Sequence, residues 1–290
     1  MPEMAGLLDE RAVRRRFAAG GSGQSPLASE LEKESAERLR EHLEPIRIEP
    51  EQILDLGSGQ GVWHAYLEES YPKSELYLTD FVKAGLVQGT RRWFRRRRRR
   101  HAVLMDARAS AIRDRTVDLV TANLLLHWVP DYPRMLTAAA SVLRPGGLIM
   151  LSALGPDTLA ELGYAWEQVN PRYAHIHPFP DMHDIGDQLV RAGFSDVVMD
   201  ASRITLTYES PSALFEELRM LGVGRNAHAG RPKGLTTPRE LRAVCEAYRE
   251  VPGATDPETG RVRATLEIVF AHAWAREPTP GVAVAAPPLP

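Results

Sequence analysis

A single cysteine, Cys245, in 290 residues excludes an internal disulfide framework and any zinc site built from several thiolates. Such a chain suits a reducing compartment, so the cytoplasm is the expected location. An excess of one charge is also missing. With 36 basic against 38 acidic side chains and a net charge of -2, the global balance offers nothing to nucleic acid or to a membrane surface, and neither is expected as a partner. No stretch approaches the ~18 to 20 consecutive apolar residues of a membrane span, and residues 1–16 have no apolar core of a signal peptide. What the chain does have is a hydrophobic fraction of 43%, enough to bury a sizeable core.

The first thirty residues carry a basic cluster (Arg11, Arg14, Arg15, Arg16) and then a Gly/Ser-rich stretch over 18–26, which together read as a mobile N-terminal segment. The spacing of Leu31, Ala36, Leu39 and Leu43 predicts an amphipathic helix. Short apolar runs then alternate with helical stretches, placing strands at 53–56, 76–79, 102–105, 117–122 and 148–152. That is the pattern of a doubly wound α/β sheet. Segments 197–200 with 204–208, and 263–271, can add two strands, including an antiparallel edge. Two stretches with helical periodicity, 156–180 and 210–251, break the alternation and read as a helical cap. Residues 277–290, rich in Pro, Ala and Val, read as a disordered tail.

The strongest local signal is Ile53-Leu54-Asp55-Leu56-Gly57-Ser58-Gly59-Gln60-Gly61, a strand running into Gly-x-Gly-x-Gly. Glycines there let the backbone turn sharply and approach a ligand without a Cβ in the way. The dinucleotide fingerprint Gly-x-Gly-x-x-Gly needs a glycine where this chain has Val62, which disfavours nicotinamide cofactors. The alternative is a purely structural turn. Against it stands the second strand, which ends in Asp80, a carboxylate placed to accept both hydroxyl hydrogens of a ribose. Alone, Asp80 could equally cap a helix. The third strand ends in Asp106-Ala107 and the fourth in Asn123, followed by Leu124-Leu125-Leu126-His127-Trp128. Ligands of open α/β sheets bind outside such strand ends.

The Asp55 to Gly61 loop resembles motif I of class I S-adenosylmethionine-dependent methyltransferases, and the 117–128 segment resembles their fourth-strand motif. The resemblance implies a seven-stranded Rossmann-like sheet and a cofactor held by Asp55, Gly57, Ser58, Gly59, Gly61, Asp80, Asp106, Ala107 and Asn123, with Asp106 taking the adenine amino group. A narrower likeness lies in Leu154-Gly155-Pro156-Asp157-Thr158-Leu159-Ala160-Glu161-Leu162, Asp181-Met182-His183-Asp184-Ile185-Gly186, Thr205-Leu206-Thr207-Tyr208, Ala229-Gly230-Arg231 onward to Thr236, and Ala271-His272-Ala273-Trp274. These segments are similar to the malonyl-[acyl-carrier protein] O-methyltransferases of biotin synthesis. The likeness spans roughly residues 30 to 276, so the methyltransferase domain is set at 31–276.

That family implies methylation of the free carboxylate of malonyl-acyl-carrier protein to its methyl ester, with the carrier protein as partner. A carboxylate with an ordinary pKa of about 4 is already ionised at neutral pH, so neither a catalytic base nor a metal is expected. Loosely spaced His175, His177 and His183 do not suggest a metal site. Two positions depart from the family: its N-terminal aromatic Tyr has no counterpart over 20–28, where Gln24 and Ser25 are nearest, and its cap arginine is replaced by Glu216. Cap residues Arg219, Arg225 and Arg231 are candidates for pairing with the malonyl carboxylate instead, and His127 for lining the substrate pocket. The run Arg91-Arg92-Trp93-Phe94-Arg95 to Arg100 puts eight arginines in ten positions, expected on the helix after the second strand. It can be a solvated helix face or a docking face for an acidic carrier.

Glu216 and His127-Trp128 are also similar to the related mitochondrial complex I assembly factor, an arginine hydroxylase. A cofactor-using enzyme of the same fold with another substrate, and a non-catalytic binding protein, therefore stay open.

Overall fold

The computed structural model describes residues 8–18, 26–59, 61–83, 86, 99–220, 229–231 and 234–276. Two helices, α1 (Glu10–Ala18) and α2 (Pro26–Leu43), precede β1 (Gln52–Leu56), α3 (Val62–Ser70), β2 (Glu75–Asp80), β3 (Arg100–Leu104) and β4 (Val117–Ala122). Then come α4 (Tyr132–Val142), β5 (Leu143–Leu154), α5 (Ala160–Val169), α6 (Met182–Arg191), β6 (Phe194–Tyr208), α7 (Pro211–Met220), α8 (Pro238–Glu250) and β7 (Val262–Ala275).

The strands form a seven-stranded sheet in the order β3-β2-β1-β4-β5-β7-β6. The first five are mutually parallel, and β7 runs antiparallel to both its neighbours. Parallel strands covered on both faces read as continuous apolar runs, not as alternating ones, and β1 and β4 are buried almost throughout. Successive β1 residues divide between the two faces. Ile53 packs with α2 and α3 (Leu39, Leu43, Trp63, Leu67), whereas Leu54 packs on the side that buries Met135 and Leu136 of α4 and Ile185 and Leu189 of α6. A third core lies under the cap, where Leu162, Trp166, Leu214, Val244 and Tyr248 meet Val262 and Ala264 of β7. The cap helix α8 is fixed by a reciprocal capping box between Thr237 and Glu240.

Three sequence expectations change here. The antiparallel strand is not at the edge: β7 inserts between β5 and β6, so β6 and β3 are the outer strands. The segments 197–200 and 204–208 are one strand, β6, whose pairing shifts register between Ser195 and Val198 where Asp196 has a positive φ of 51°. Within the 1–30 segment, α1 covers the basic cluster and α2 begins at Pro26, while 19–25, the body of the expected loop, lie outside the described residues. Most of the arginine run (91–98), Arg225, and the tail 277–290 lie outside the described residues. Arg100 belongs to β3 and not to a helix, and its guanidinium pairs with Glu68. Among the described residues no helix is long and apolar enough to cross a membrane.

Candidate functional site

The sheet changes winding direction between β1 and β4, and a crevice forms outside the carboxyl ends of these strands. A cavity of about 310 Å³ occupies it. Of the ten residues singled out from the sequence at strand ends and loops, all line this one cavity: Asp55, Gly57, Ser58, Gly59, Gly61, Asp80, Asp106, Ala107, Asn123 and His127.

Gly57 and Gly61 cannot be replaced cheaply. Their φ angles are +65° and +94°, and a Cβ on Gly57 would stand 2.7 Å from a methyl of Leu125, while one on Gly61 would strike the ring of His64. The loop is locked to β2 by Ser58, whose N–H donates to Thr79 O at 2.9 Å and whose hydroxyl donates to Asp55 O at 3.1 Å and accepts the Thr79 N–H. Asp55 below it is buried, and its Oδ1 accepts the Thr121 hydroxyl at 2.8 Å. Burial pushes the Asp55 carboxyl up to about 7, with the Asp80 charge adding to the rise and the Thr121 and Ser58 hydrogen bonds opposing it.

At the end of β2, Asp80 Oδ1 accepts the Val82 N–H at 2.8 Å. This closes a local turn after β2, while the helix that Asp80 could cap falls largely outside the described residues; the same carboxyl is in the cavity wall and burial raises it. A partly desolvated carboxylate facing a cavity is a good acceptor for paired sugar hydroxyls. Asp106, at the end of β3, is differently placed. Both its oxygens are engaged by Arg108, at 3.0 Å from Nε and 2.7 Å from a terminal nitrogen, and this guanidinium also reaches Glu10 of α1 at 3.1 Å. The Arg108 hydrogen bond holds the Asp106 carboxyl below its ordinary value. Asn123 points its Oδ1 at the hydroxyls of Ser35 (2.7 Å) and Ser152 (2.8 Å), which ties α2 to the ends of β4 and β5.

Beyond the glycine loop the cavity turns apolar and runs under the cap, past Leu159, Leu162, Leu206, Leu214 and Leu266. His127 stands at the turn. Its Nδ1 accepts the Leu154 N–H at 3.1 Å, which fixes the tautomer with the proton on Nε2. His177 donates through Nε2 to the His127 carbonyl, 2.7 Å away, and His175 stacks on Trp166 with ring centroids 3.9 Å apart. These three histidines line one cavity, whereas His183 is exposed beside Asp181.

Of the cap arginines, Arg219 and Arg231 are not brought to this wall, and Arg225 lies outside the described residues. Arg219 is exposed on α7, and Arg231 is paired with Asp9 at 2.7 Å, at the start of α1. Glu216 is exposed too, between Leu214 and Leu218, which do line the cavity. Sequence reasoning missed α1. Val13 and Phe17, spaced i and i+4, line the cavity, and Phe17 packs edge-on against Phe81 (5.7 Å) and Trp128 (5.4 Å). That spacing was the available signal. Glu32 of α2 and Arg108 were missed as well.

A family model described as a methyltransferase domain matches residues 27–198. A malonyl-[acyl-carrier protein] O-methyltransferase of Halorhodospira halophila is 41% identical over 281 residues, which is 96% of this chain and 92% of that protein. The chain belongs to the malonyl-[acyl-carrier protein] O-methyltransferase family. A second member, from Gallionella capsiferriformans, is 35% identical over 95% of this chain and 93% of its own length. Among solved structures, phosphoethanolamine N-methyltransferase 2 of Haemonchus contortus, in complex with S-adenosyl-L-methionine, shares the fold at a TM-score of 0.53 and 13% identity, over 93% of this chain and 58% of that one. The protein is accordingly an S-adenosylmethionine-dependent O-methyltransferase on the class I fold.

Proposed function

We propose that the protein methylates the free carboxylate of a malonyl group carried on an acyl carrier protein, giving the methyl ester at an early step of biotin synthesis. The observation that carries this reading is the shape of the cavity: a polar cofactor end over β1 to β3 is continuous with an apolar arm under the cap. When bound, S-adenosylmethionine supplies a methyl group on a positively charged sulfur, and its passage to a carboxylate oxygen leaves S-adenosylhomocysteine and the ester.

The residues already described fit that cofactor. Gly57, Gly59 and Gly61 give a side-chain-free cradle, Asp80 would accept the ribose hydroxyl hydrogens, and Asp106 with Ala107 would border the adenine. Because the acceptor is already an anion, the protein has no proton to remove and works by orientation and exclusion of water. The cap arm does the excluding. His127 is assigned to the acceptor end, as a buried polar ring in the cavity wall that the Leu154 N–H holds in place. On this reading 31–276 is the catalytic unit, with cap elements at about 156–180 and 210–251, and 1–30 contributes cover through α1.

The arginines of the run ahead of Arg100, which is engaged by Glu68, are assigned to docking of the acidic carrier, within a cytoplasmic setting. His127→Ala and a variant with four of these arginines changed to serine should both raise KM for the carrier-bound substrate about 10-fold and leave cofactor Kd unchanged. Salt separates them: the arginine effect fades between about 50 and 300 mM salt as the Debye length shortens from roughly 14 to roughly 6 Å, and the His127 effect persists. A KM unchanged at low salt in either variant would remove that residue set from substrate recognition. The activity itself is tested by methyl transfer to malonyl-acyl-carrier protein.

A further inference from the structure

Glu32 sits on α2 and lines the cavity, yet among the described residues no cation and no hydrogen-bond donor reaches its carboxylate. Its neighbours on the same helix are differently served, since Glu34 pairs with Arg38 and Glu37 lies near Arg40. Burial alone raises the Glu32 carboxyl to about 7. A carboxylate turned into a cavity wall without a counter-charge costs stability in the empty protein, so its place there calls for a cationic occupant.

The fold says which end of the cavity this is. Ser35, one turn on from Glu32, donates to Asn123 at 2.7 Å, and the Asn123 amide lies 3.5 Å from the Glu32 carbonyl. Asn123 follows directly on β4, which pairs with β1, the strand that feeds the glycine loop. The ribose and adenine positions lie the other way, at the ends of β2 and β3. Glu32 therefore borders the methionine end of the cofactor. That end offers two cations, the α-ammonium and the sulfonium. The sulfonium has to face the acceptor, and a carboxylate held against it would itself compete for the methyl group.

We infer that Glu32 is a cofactor-positioning residue whose carboxylate pairs with the α-ammonium of S-adenosylmethionine at the β4 side of the glycine loop. The methionine carboxylate is then left to the backbone N–H groups of the loop, where an anion is favoured. The pairing fixes the methionine chain at its far end and so aims the sulfur toward the cap arm. This inference rests on the cofactor reading above.

The test is calorimetric titration of the full chain and its Glu32→Gln variant with S-adenosylmethionine, S-adenosylhomocysteine, and an S-adenosylhomocysteine analogue carrying hydrogen in place of the amino group. The wild type should prefer S-adenosylhomocysteine to the desamino analogue by about 30-fold, as for a charge-assisted hydrogen bond. Glu32→Gln should weaken both amino-bearing ligands about 30-fold, alter the analogue less than 3-fold, and so abolish the preference. Glu32→Asp, which keeps the charge on a shorter arm, should keep part of it and guards against a variant that fails to fold. Equal loss for all three ligands would make Glu32 merely structural and overturn the inference, as would a loss confined to S-adenosylmethionine, which would assign Glu32 to the sulfonium. A wild-type protein that binds none of the ligands would overturn the cofactor reading and the inference with it.

Discussion

Asp80→Ala is expected to weaken S-adenosylmethionine binding by roughly 100-fold, or about 2.7 kcal/mol, from the loss of two hydrogen bonds to a charged acceptor. The side chain ends β2, lines the cavity and has one oxygen already committed to the Val82 N–H at 2.8 Å. Asp80→Asn keeps one acceptor and the Val82 contact, so its loss should be nearer 10-fold. Both variants should keep the wild-type fold, because the main-chain pairing of β2 with β1 and β3 is untouched. Calorimetric titration with the cofactor, alongside circular dichroism, checks this. A Kd for Asp80→Ala within 2-fold of wild type would leave Asp80 as a loop cap with no part in the ribose site.

Asp55→Asn should change stability and affinity in opposite directions. In the fold the carboxyl lies at about 7, against an ordinary 3.8. A raised folded value means that the native state holds the proton more tightly than the unfolded chain, so this group costs stability above pH 7. The cost diminishes as pH falls from about 7 toward 4. Asparagine removes the charge and can still accept the Thr121 hydroxyl. At pH 8 the cofactor-free variant should therefore be more stable, by roughly 2 to 4 kcal/mol at most, or several degrees in Tm. At pH 4.5 the difference should shrink to roughly 1 kcal/mol, since the cost vanishes only below the unfolded value. With cofactor added at pH 8 the order should reverse, because the wall then lacks a negative charge facing a cationic ligand. A Tm for the cofactor-free variant below wild type at pH 8 would show that the Asp55 carboxylate stabilises the fold and would defeat the account of a charge kept for the ligand.

The cofactor half was legible because its demands are local. A left-handed Gly57 and Gly61 next to an apolar strand, and a carboxylate closing the following strand, are written in consecutive residues. The order of the last two strands was not legible. Nothing in 194–208 or 262–275 says that β7 inserts between β5 and β6, because that choice is made by long-range pairing. The substrate end failed in another way. Arg231 looked available for an acceptor carboxylate, but Asp9, 222 positions away in sequence, holds it at 2.7 Å. Glu32 is one of several charges along an amphipathic helix, and its place in the cavity depends on where Ser35 docks α2 against Asn123. Phe17 lay inside a basic cluster, where the arginines masked an i, i+4 apolar pair with Val13.

The central claim is that one cavity serves both cofactor and carrier-bound acceptor, and the most direct test is transfer of labelled methyl from S-adenosylmethionine to malonyl-acyl-carrier protein, with cofactor binding measured on the same sample. The account predicts label in a base-labile methyl ester, at equal yield with or without a metal chelator. Tight cofactor binding with no label on the malonyl group would contradict it and would assign the cap arm to a different acceptor.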